Sequence, residues 1–279
     1  MPSRQARPIP FLVALAGLVF ALACPAAAQQ NAPDPRDNDR VLQPAEPDFR
    51  IINLPTTMRL PLHAGNFVIT HRFSGNLRRG SFSDNASTLF GIDDGAVVGF
   101  EYRFGIARHV QASIYRNAFQ KTIQLYSKVD AVHQNASWPL SVSAIVSVEG
   151  IDNFQEAYAP AVGGVVSRMI GTAAAFYVVP VWVHNTAPGL GVDRNSAFVG
   201  LGGRVRILRT VYLAAEISPR LSGYRPGKPE FGFGIEKRSG GHMFQLNFTN
   251  SIASTPAQIA RGGTPVTLYM GFNLSRKFF

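Results

Sequence analysis

The stretch VTLYMGFNLSRKFF, residues 266–279, decides the fold class of this chain. Successive side chains of a β-strand point to opposite faces, so one face of this stretch is apolar and the other is polar or small. The two faces carry Val266, Leu268, Met270, Phe272 and Leu274 on one side, and Thr267, Tyr269, Gly271, Asn273 and Ser275 on the other. In an exported chain, such a strand at the C-terminus, ending in Phe, is typical of a bacterial outer-membrane β-barrel.

The N-terminus has the features of an export signal. Arg4 and Arg7 precede an apolar run at residues 11–23, and residues 26–28 are all alanine, the small residues that signal peptidase requires. The sequence therefore predicts a signal peptide at residues 1–28. A lipoprotein signal ending at Cys24 is the alternative, but Ala21 stands where such signals prefer a large aliphatic residue.

Composition favours strands throughout the rest of the chain. Hydrophobic residues make up 46% of the 279 residues, yet no run outside the signal approaches the ~20 apolar residues of a membrane helix. The apolar residues must therefore alternate with polar ones. The formal net charge of +10 suits an anionic lipid leaflet or a small anionic solute better than nucleic acid, because the basic residues do not cluster on one segment.

The chain after the signal is expected to have three parts. Residues 29–48 are rich in Pro, Asp, Asn and Arg, which predicts a disordered periplasmic tail. Residues 49–64 mix apolar residues with Pro55 and Pro61, which interrupt a spanning strand, so they are expected to plug or brace the base of the barrel. Residues 65–279 are expected to form an outer-membrane β-barrel domain.

Twelve segments of about nine to eleven residues, the length that a tilted strand needs to cross a bilayer, follow Gly65. They lie near residues 65–73, 95–104, 108–116, 121–130, 138–148, 161–170, 174–184, 196–206, 210–218, 229–238, 242–250 and 266–276. Short links alternate with long ones at 74–94, 149–160, 185–195, 219–228 and 251–265, as expected for an antiparallel up-and-down barrel. Links of unexpected length at 117–120 and 131–137 leave ten or fourteen strands as alternatives. A soluble β-sandwich also alternates, but its strands are shorter.

Charged residues on the polar faces are expected to point into the lumen, because each would cost about 2–4 kcal/mol on the lipid face near the midplane. The candidates are Glu101, Arg103, Lys128, Arg204, Arg206, Glu216 and Glu236. Basic residues exceed acidic ones in this set by four to three. If the barrel conducts, this surplus predicts a weak preference for anions.

Four short stretches carry a resemblance to a known family. They are FVITHRF at 67–73, FGIDDGA at 90–96, YRFGI at 102–106 and YR at 115–116. From about residue 58 to 279 the chain resembles a family of bacterial outer-membrane β-barrels of unknown function. The resemblance implies a barrel and gives no activity.

The last strand is similar to the signal that the barrel-assembly machinery recognises. Gly271, Phe272 and Leu274 are in place, and Phe278 and Phe279 supply an aromatic end. Arg276 departs from the pattern, because an aromatic residue is usual at that in-phase position. The strand is therefore expected to end at Ser275.

The residues that could carry chemistry form no motif typical of an enzyme. Asp93 and Asp94 are adjacent, so on a strand their side chains would point to opposite faces, and a turn cap is a better interpretation than a carboxylate pair. The histidines lack the spacing of a zinc site on one element, so no catalytic residue, metal or cofactor is predicted.

These observations favour a non-enzymatic outer-membrane barrel, with lipid and the barrel-assembly machinery as its partners. The preferred hypothesis is a narrow channel or uptake component for a small anionic solute. A closed structural or interaction barrel that presents the loops at 74–94 and 251–265 is the first alternative. An outer-membrane barrel hydrolase is the second.

Overall fold

A computed structural model describes residues 38–187 and 195–278 of the protein. The predicted signal peptide, residues 29–37 of the predicted tail and Phe279 lie outside the described residues. The described strands are all antiparallel, and the barrel closes where β1 pairs with β13. The strands are β1 (Gly65–Asn76), β2 (Ala96–Ala107), β3 (Val110–Asn117), β4 (Ile123–Val132), β5 (Ser141–Ile151), β6 (Glu156–Ile170), β7 (Ala174–Val183), β8 (Ser196–Leu208), β9 (Val211–Ser218), β10 (Arg220–Gly223), β11 (Glu230–Ser239), β12 (His242–Thr249) and β13 (Tyr269–Phe278).

The barrel has twelve strand positions, because β9 and β10 are two parts of one interrupted strand. Both pair with β8, and Pro219 separates them. Proline has no N–H to donate to the ladder, which accounts for the break. Closure is set by a register that places Gly65 opposite Phe278 and Arg72 opposite Gly271. The predicted twelve-stranded up-and-down barrel is thus confirmed.

The alternation in β7 shows how the two faces of the wall differ. Phe176 and Trp182 are 49% and 44% exposed on the outside, whereas Tyr177 and Val179 point inward and are buried. The same two-residue period puts large apolar side chains on the outer face of most strands. Among the described residues, no helix is long and apolar enough to cross a membrane.

Connection length distinguishes the two ends of the barrel. The short-turn end, where β1 begins and β13 ends, has the links 108–109, 171–173, 209–210 and 240–241. Its longest link is 133–140. The long-loop end has the connections 77–95 and 250–268. Several predicted boundaries are wrong. Residues 149–160 are mostly strand, since only 152–155 link β5 to β6. The last strand, β13, begins at Tyr269 instead of Val266 and continues past Ser275 to Phe278.

Two short helices lie in the longest loops. Helix α1 (Phe82–Ser87) belongs to the β1–β2 connection and begins at a capping box formed by Ser81 and Asp84. Helix α2 (Pro256–Arg261) belongs to the β12–β13 connection and is capped by Thr255. A 3₁₀ turn at Phe119–Lys121 joins β3 to β4.

Candidate functional site in the barrel lumen

Residues 45–60 occupy the lumen of the barrel; we call them the lumen segment. Its side chains Phe49, Ile52 and Leu54 have no exposed surface. A tight turn gives the segment its shape, because the Ile51 N–H donates to Leu54 O at 2.8 Å and the Thr56 N–H donates to Phe49 O at 3.0 Å. Residues 45–48, which the sequence assigned to the tail, are buried with the segment.

Glu216 on β9 holds the turn of the lumen segment by its backbone. Its carboxylate accepts three successive N–H groups, those of Ile52 at 3.0 Å, Asn53 at 2.8 Å and Leu54 at 3.1 Å. A tight turn leaves such N–H groups without intrachain partners, and an ionised acceptor gives the stronger kind of hydrogen bond. One wall carboxylate therefore fixes the position of the turn.

Donors on other strands bind the carbonyl groups of the same segment. These contacts are Arg204 Nη2 to Arg50 O at 2.7 Å, Gln245 Nε2 to Ile51 O at 2.5 Å, Asn273 Nδ2 to Ile52 O at 2.9 Å, and Lys128 Nζ to Thr56 O at 2.9 Å and Met58 O at 2.7 Å. The donors come from β4, β8, β12 and β13, so the wall surrounds the segment. The wall thus satisfies backbone groups that water would otherwise have to solvate.

Polar side chains of the lumen segment pair with charged wall residues. Arg50 lies 2.8 Å from Glu101 on β2 in a buried ion pair. Asn53 accepts from Arg72 Nη2 at 3.0 Å and donates to Glu230 at 2.9 Å. Removing one partner of a buried ion pair costs about 3–5 kcal/mol, because the other charge is left uncompensated. The lumen segment and the wall therefore each stabilise buried charged groups of the other.

Two glycines on β8 make room for the apolar side chains of the segment. A Cβ at Gly200 would stand 2.6 Å from Leu54 Cδ2, and one at Gly202 would stand 2.4 Å from Ile51 Cδ1. Real Cβ atoms do not approach so closely. The wall is thus shaped for the side chains of the lumen segment as well as for its backbone.

The β12–β13 connection fills the lumen from the long-loop end. Ala257, Ile259 and Ala260 of α2 are buried, and Tyr115 and Asn117 on β3 donate to Ser254 Oγ and Gln258 Oε1 at 2.8 and 3.1 Å. A cavity of about 30 Å³ remains between this connection and the lumen segment, enough for about one water molecule.

The structure brings six of the seven predicted lumen charges into this interior and leaves one at its rim. Glu101, Arg103, Lys128, Arg204, Glu216 and Glu236 are at most 4% exposed. Arg103 pairs with Glu101 at 2.7 Å, and Arg204 pairs with Glu236. Arg206 is half-buried at the short-turn end, where it lies over the Tyr212 ring and donates to the carbonyl of Thr172.

Sequence reasoning missed five wall charges and three on the lumen segment. The buried residues concerned are Arg72, Asp130, Glu149, Glu230, Arg238, Glu46, Asp48 and Arg50. Asp130 and Arg238 stand two positions from Lys128 and Glu236, so strand parity could have found them. Among the described residues the complete buried set has eight acidic and six basic members, which reverses the predicted surplus of basic charge.

The residues of the predicted assembly signal lie on both faces of β13. Gly271 faces inward, and a Cβ there would stand 2.8 Å from Arg72 Cδ. Phe272 and Leu274 face outward, with Phe272 stacked on His71 at 4.8 Å between ring centroids. Phe278 is 50% exposed at the end of the strand. Their role in assembly stays a prediction, and Phe279 lies outside the described residues.

Asp93 and Asp94 lie in the turn that precedes β2. The N–H of Asp94 donates to Gly91 O, and that of Asp93 donates to Thr88 O. Within residues 38–187 and 195–278, no group of three or more His, Cys, Asp or Glu side chains could hold a metal ion.

Residues 47–278 match the model of a family described as a membrane bound beta barrel domain (DUF5777). The chain belongs to this family. The match begins at residue 47, so it takes in most of the lumen segment as well as the strands. The family is defined by its membrane-bound barrel, and its description assigns no activity.

Solved structures support the fold alone. The NanC porin aligns with 77% of this chain and 99% of its own chain, at 9% identity and a TM-score of 0.50. A triple mutant of Rhodopseudomonas blastica porin aligns with 65% of this chain and 55% of its own, at 13% identity and a TM-score of 0.34. A search of curated proteins found no match.

Proposed function

We propose that the protein is a non-enzymatic outer-membrane β-barrel that its own lumen segment keeps closed, and that it acts through its long loops. The occupied lumen is the observation that carries this proposal. Buried wall groups on β1, β2, β4, β8, β9, β11, β12 and β13 bind the segment, and α2 fills the other end. The predicted signal peptide and the C-terminal strand support the outer membrane as its location, and the barrel-assembly machinery as the partner that inserts it.

Single-channel recording on the refolded full-length chain tests closure. In a planar bilayer, the closed barrel is expected to show no steady conductance above that of the bare bilayer. Heat-modifiable migration in gel electrophoresis would establish that the refolded sample is a barrel. Steady open-pore currents from such a sample would contradict the proposal.

A channel that opens when the lumen segment leaves is the second candidate. The observation that favours it is the charged wall, since Glu101, Lys128, Arg204 and Glu216 would face water once the segment withdrew. Without the segment, the described buried wall has six acidic and five basic residues. This balance gives no support to the anion preference predicted from the sequence, and a small solute of either charge fits it.

A chain lacking residues 45–60 tests whether the lumen segment closes the barrel. Both candidates predict steady conductance from this variant, with a reversal potential in a salt gradient near zero or slightly on the cation-selective side. Silence from a heat-modifiable, correctly folded deletion variant would contradict both, because closure would then not depend on the segment. The full-length chain separates the candidates: voltage-dependent openings from a silent baseline support the channel, and unbroken silence at every voltage supports the permanently closed barrel.

A further inference from the structure

A polar cavity of about 650 Å³ lies at the long-loop end, apart from the lumen segment. The end of β1, the β1–β2 connection and the residues around the start of β13 line it. Its volume falls within the range of about 300–1,000 Å³ that is usual for small-molecule sites. No residue of the lumen segment is among those that line it.

Uncharged contacts build the frame of this cavity. The side chain of Asn76 donates to Val266 O and accepts from the Leu268 N–H, both at 3.0 Å, which ties β1 to the segment before β13. A Cβ at Gly75 would stand 2.2 Å from the Cα of Gly91, so only a pair of glycines lets the loop lie against β1. The cavity therefore keeps its shape without using the charges that line it.

Asp84 is the one lining carboxylate that already has partners within the loop. It accepts from the Ser81 N–H at 2.6 Å and from Ser81 Oγ at 2.8 Å. These hydrogen bonds hold the pKa of Asp84 below its ordinary value. Its charge belongs to the capping box of α1.

The charged side chains of Arg79 and Asp94, which also line the cavity, differ from Asp84 in their contacts. In the part of the chain that the structure describes, neither side chain makes a hydrogen bond or an ion pair, with the other or with any neighbour. Asp94 Oδ2 lies against Gly75, 2.6 Å from the position of a Cβ there, which places the carboxylate at the wall of the cavity. Half-buried Tyr269 lines the β13 side. Besides Asp84, one cation and one anion thus line the same cavity without forming an ion pair with each other.

We propose that this cavity binds a small zwitterion, an amino acid or a short peptide. The Arg79 guanidinium would receive the carboxylate of the ligand, and Asp94 would receive its ammonium group. Tyr269 would contact the part of the ligand between the two charges. The inference rests on the proposed function, because it assigns a ligand class to the loops that the closed barrel presents.

Isothermal titration of the refolded full-length protein in detergent with triglycine tests the proposal. N-acetyl-triglycine lacks the ammonium group, and triglycine amide lacks the carboxylate, so each removes one of the two charges from the same backbone. Saturable binding of triglycine is expected, with each analogue bound about 10- to 100-fold more weakly, the range for loss of one charge-assisted contact. Equal binding of all three ligands, or no saturable binding, would overturn the proposal.

Substitutions locate the site. Arg79→Gln is expected to reduce the preference for triglycine over its amide, and Asp94→Asn the preference for triglycine over its acetyl form. Asp93→Asn and Arg225→Gln are matched controls, because these exposed residues are outside the lining of the cavity. If the controls weaken binding as much as the lining variants, the site lies elsewhere.

The proposal of a closed barrel and the proposal of a ligand site can be rejected independently. A silent barrel that does not bind triglycine would reject only the ligand. A barrel that conducts steadily and still binds triglycine at Arg79 and Asp94 would reject only closure.

Discussion

The change Glu216→Gln tests whether one wall carboxylate holds the lumen segment in place. Glutamine keeps the shape of the side chain, but only one of its two terminal atoms can accept a hydrogen bond. Oε2 of Glu216 accepts from Ile52 and Leu54, and Oε1 accepts from Asn53. In the orientation that keeps the first two bonds, the new NH₂ group faces the Asn53 N–H, and two donors then oppose each other.

The magnitude follows from these three contacts. A buried N–H that loses its acceptor costs about 1–3 kcal/mol, and the two remaining bonds lose their charge-assisted strength. We therefore expect docking of the segment to weaken by about 2–4 kcal/mol, a roughly 30- to 1,000-fold rise in the undocked population.

Hydrogen exchange followed by mass spectrometry measures the effect directly. Peptides that contain residues 51–54 should exchange faster in Glu216→Gln, while peptides from the strands should not change. Glu230→Gln is the matched control: it also removes a buried carboxylate, but Glu230 contacts only the Asn53 side chain of the turn and leaves its three N–H groups bound. Unchanged exchange at 51–54 in Glu216→Gln, or equal acceleration in the control, would refute the reasoning.

Three further changes probe the wall, the lipid face and the C-terminus. Gly200→Leu should overpack the contact with Leu54 at a cost of about 1–3 kcal/mol and accelerate exchange in the same peptide, whereas full protection there would show that the wall tolerates the extra volume. Leu246→Arg should lower the free energy of unfolding in lipid by about 2–4 kcal/mol if this outward residue lies near the midplane, and an unaffected urea midpoint would place it away from lipid. Deleting Phe278 and Phe279 should reduce the amount of heat-modifiable barrel in the outer membrane, and normal levels would mean that the assembly signal lies elsewhere.

The amino-acid sequence by itself determined the wall of the barrel. A two-residue period is a local property of a strand, so β12 and β13 could be recognised, and their apolar and polar faces assigned, from the residues alone. The same parity placed Lys128 and Glu236 on the inner face. Parity could not place Glu149 on the inner face, because the sequence assigned this residue to a loop and only strand residues alternate between two faces.

Only the tertiary structure decided what fills the barrel and which charged residues line the cavity at its long-loop end. Residues 49–64 could be expected to plug or brace the base, but the depth of the lumen segment depends on contacts such as Glu216 with Asn53, which are 163 positions apart. No periodicity connects such residues. Arg79 and Asp94 share the β1–β2 connection, but Tyr269 at the start of β13 lines the same cavity only because β1 pairs with β13, and this closure is a long-range property that no local pattern encodes.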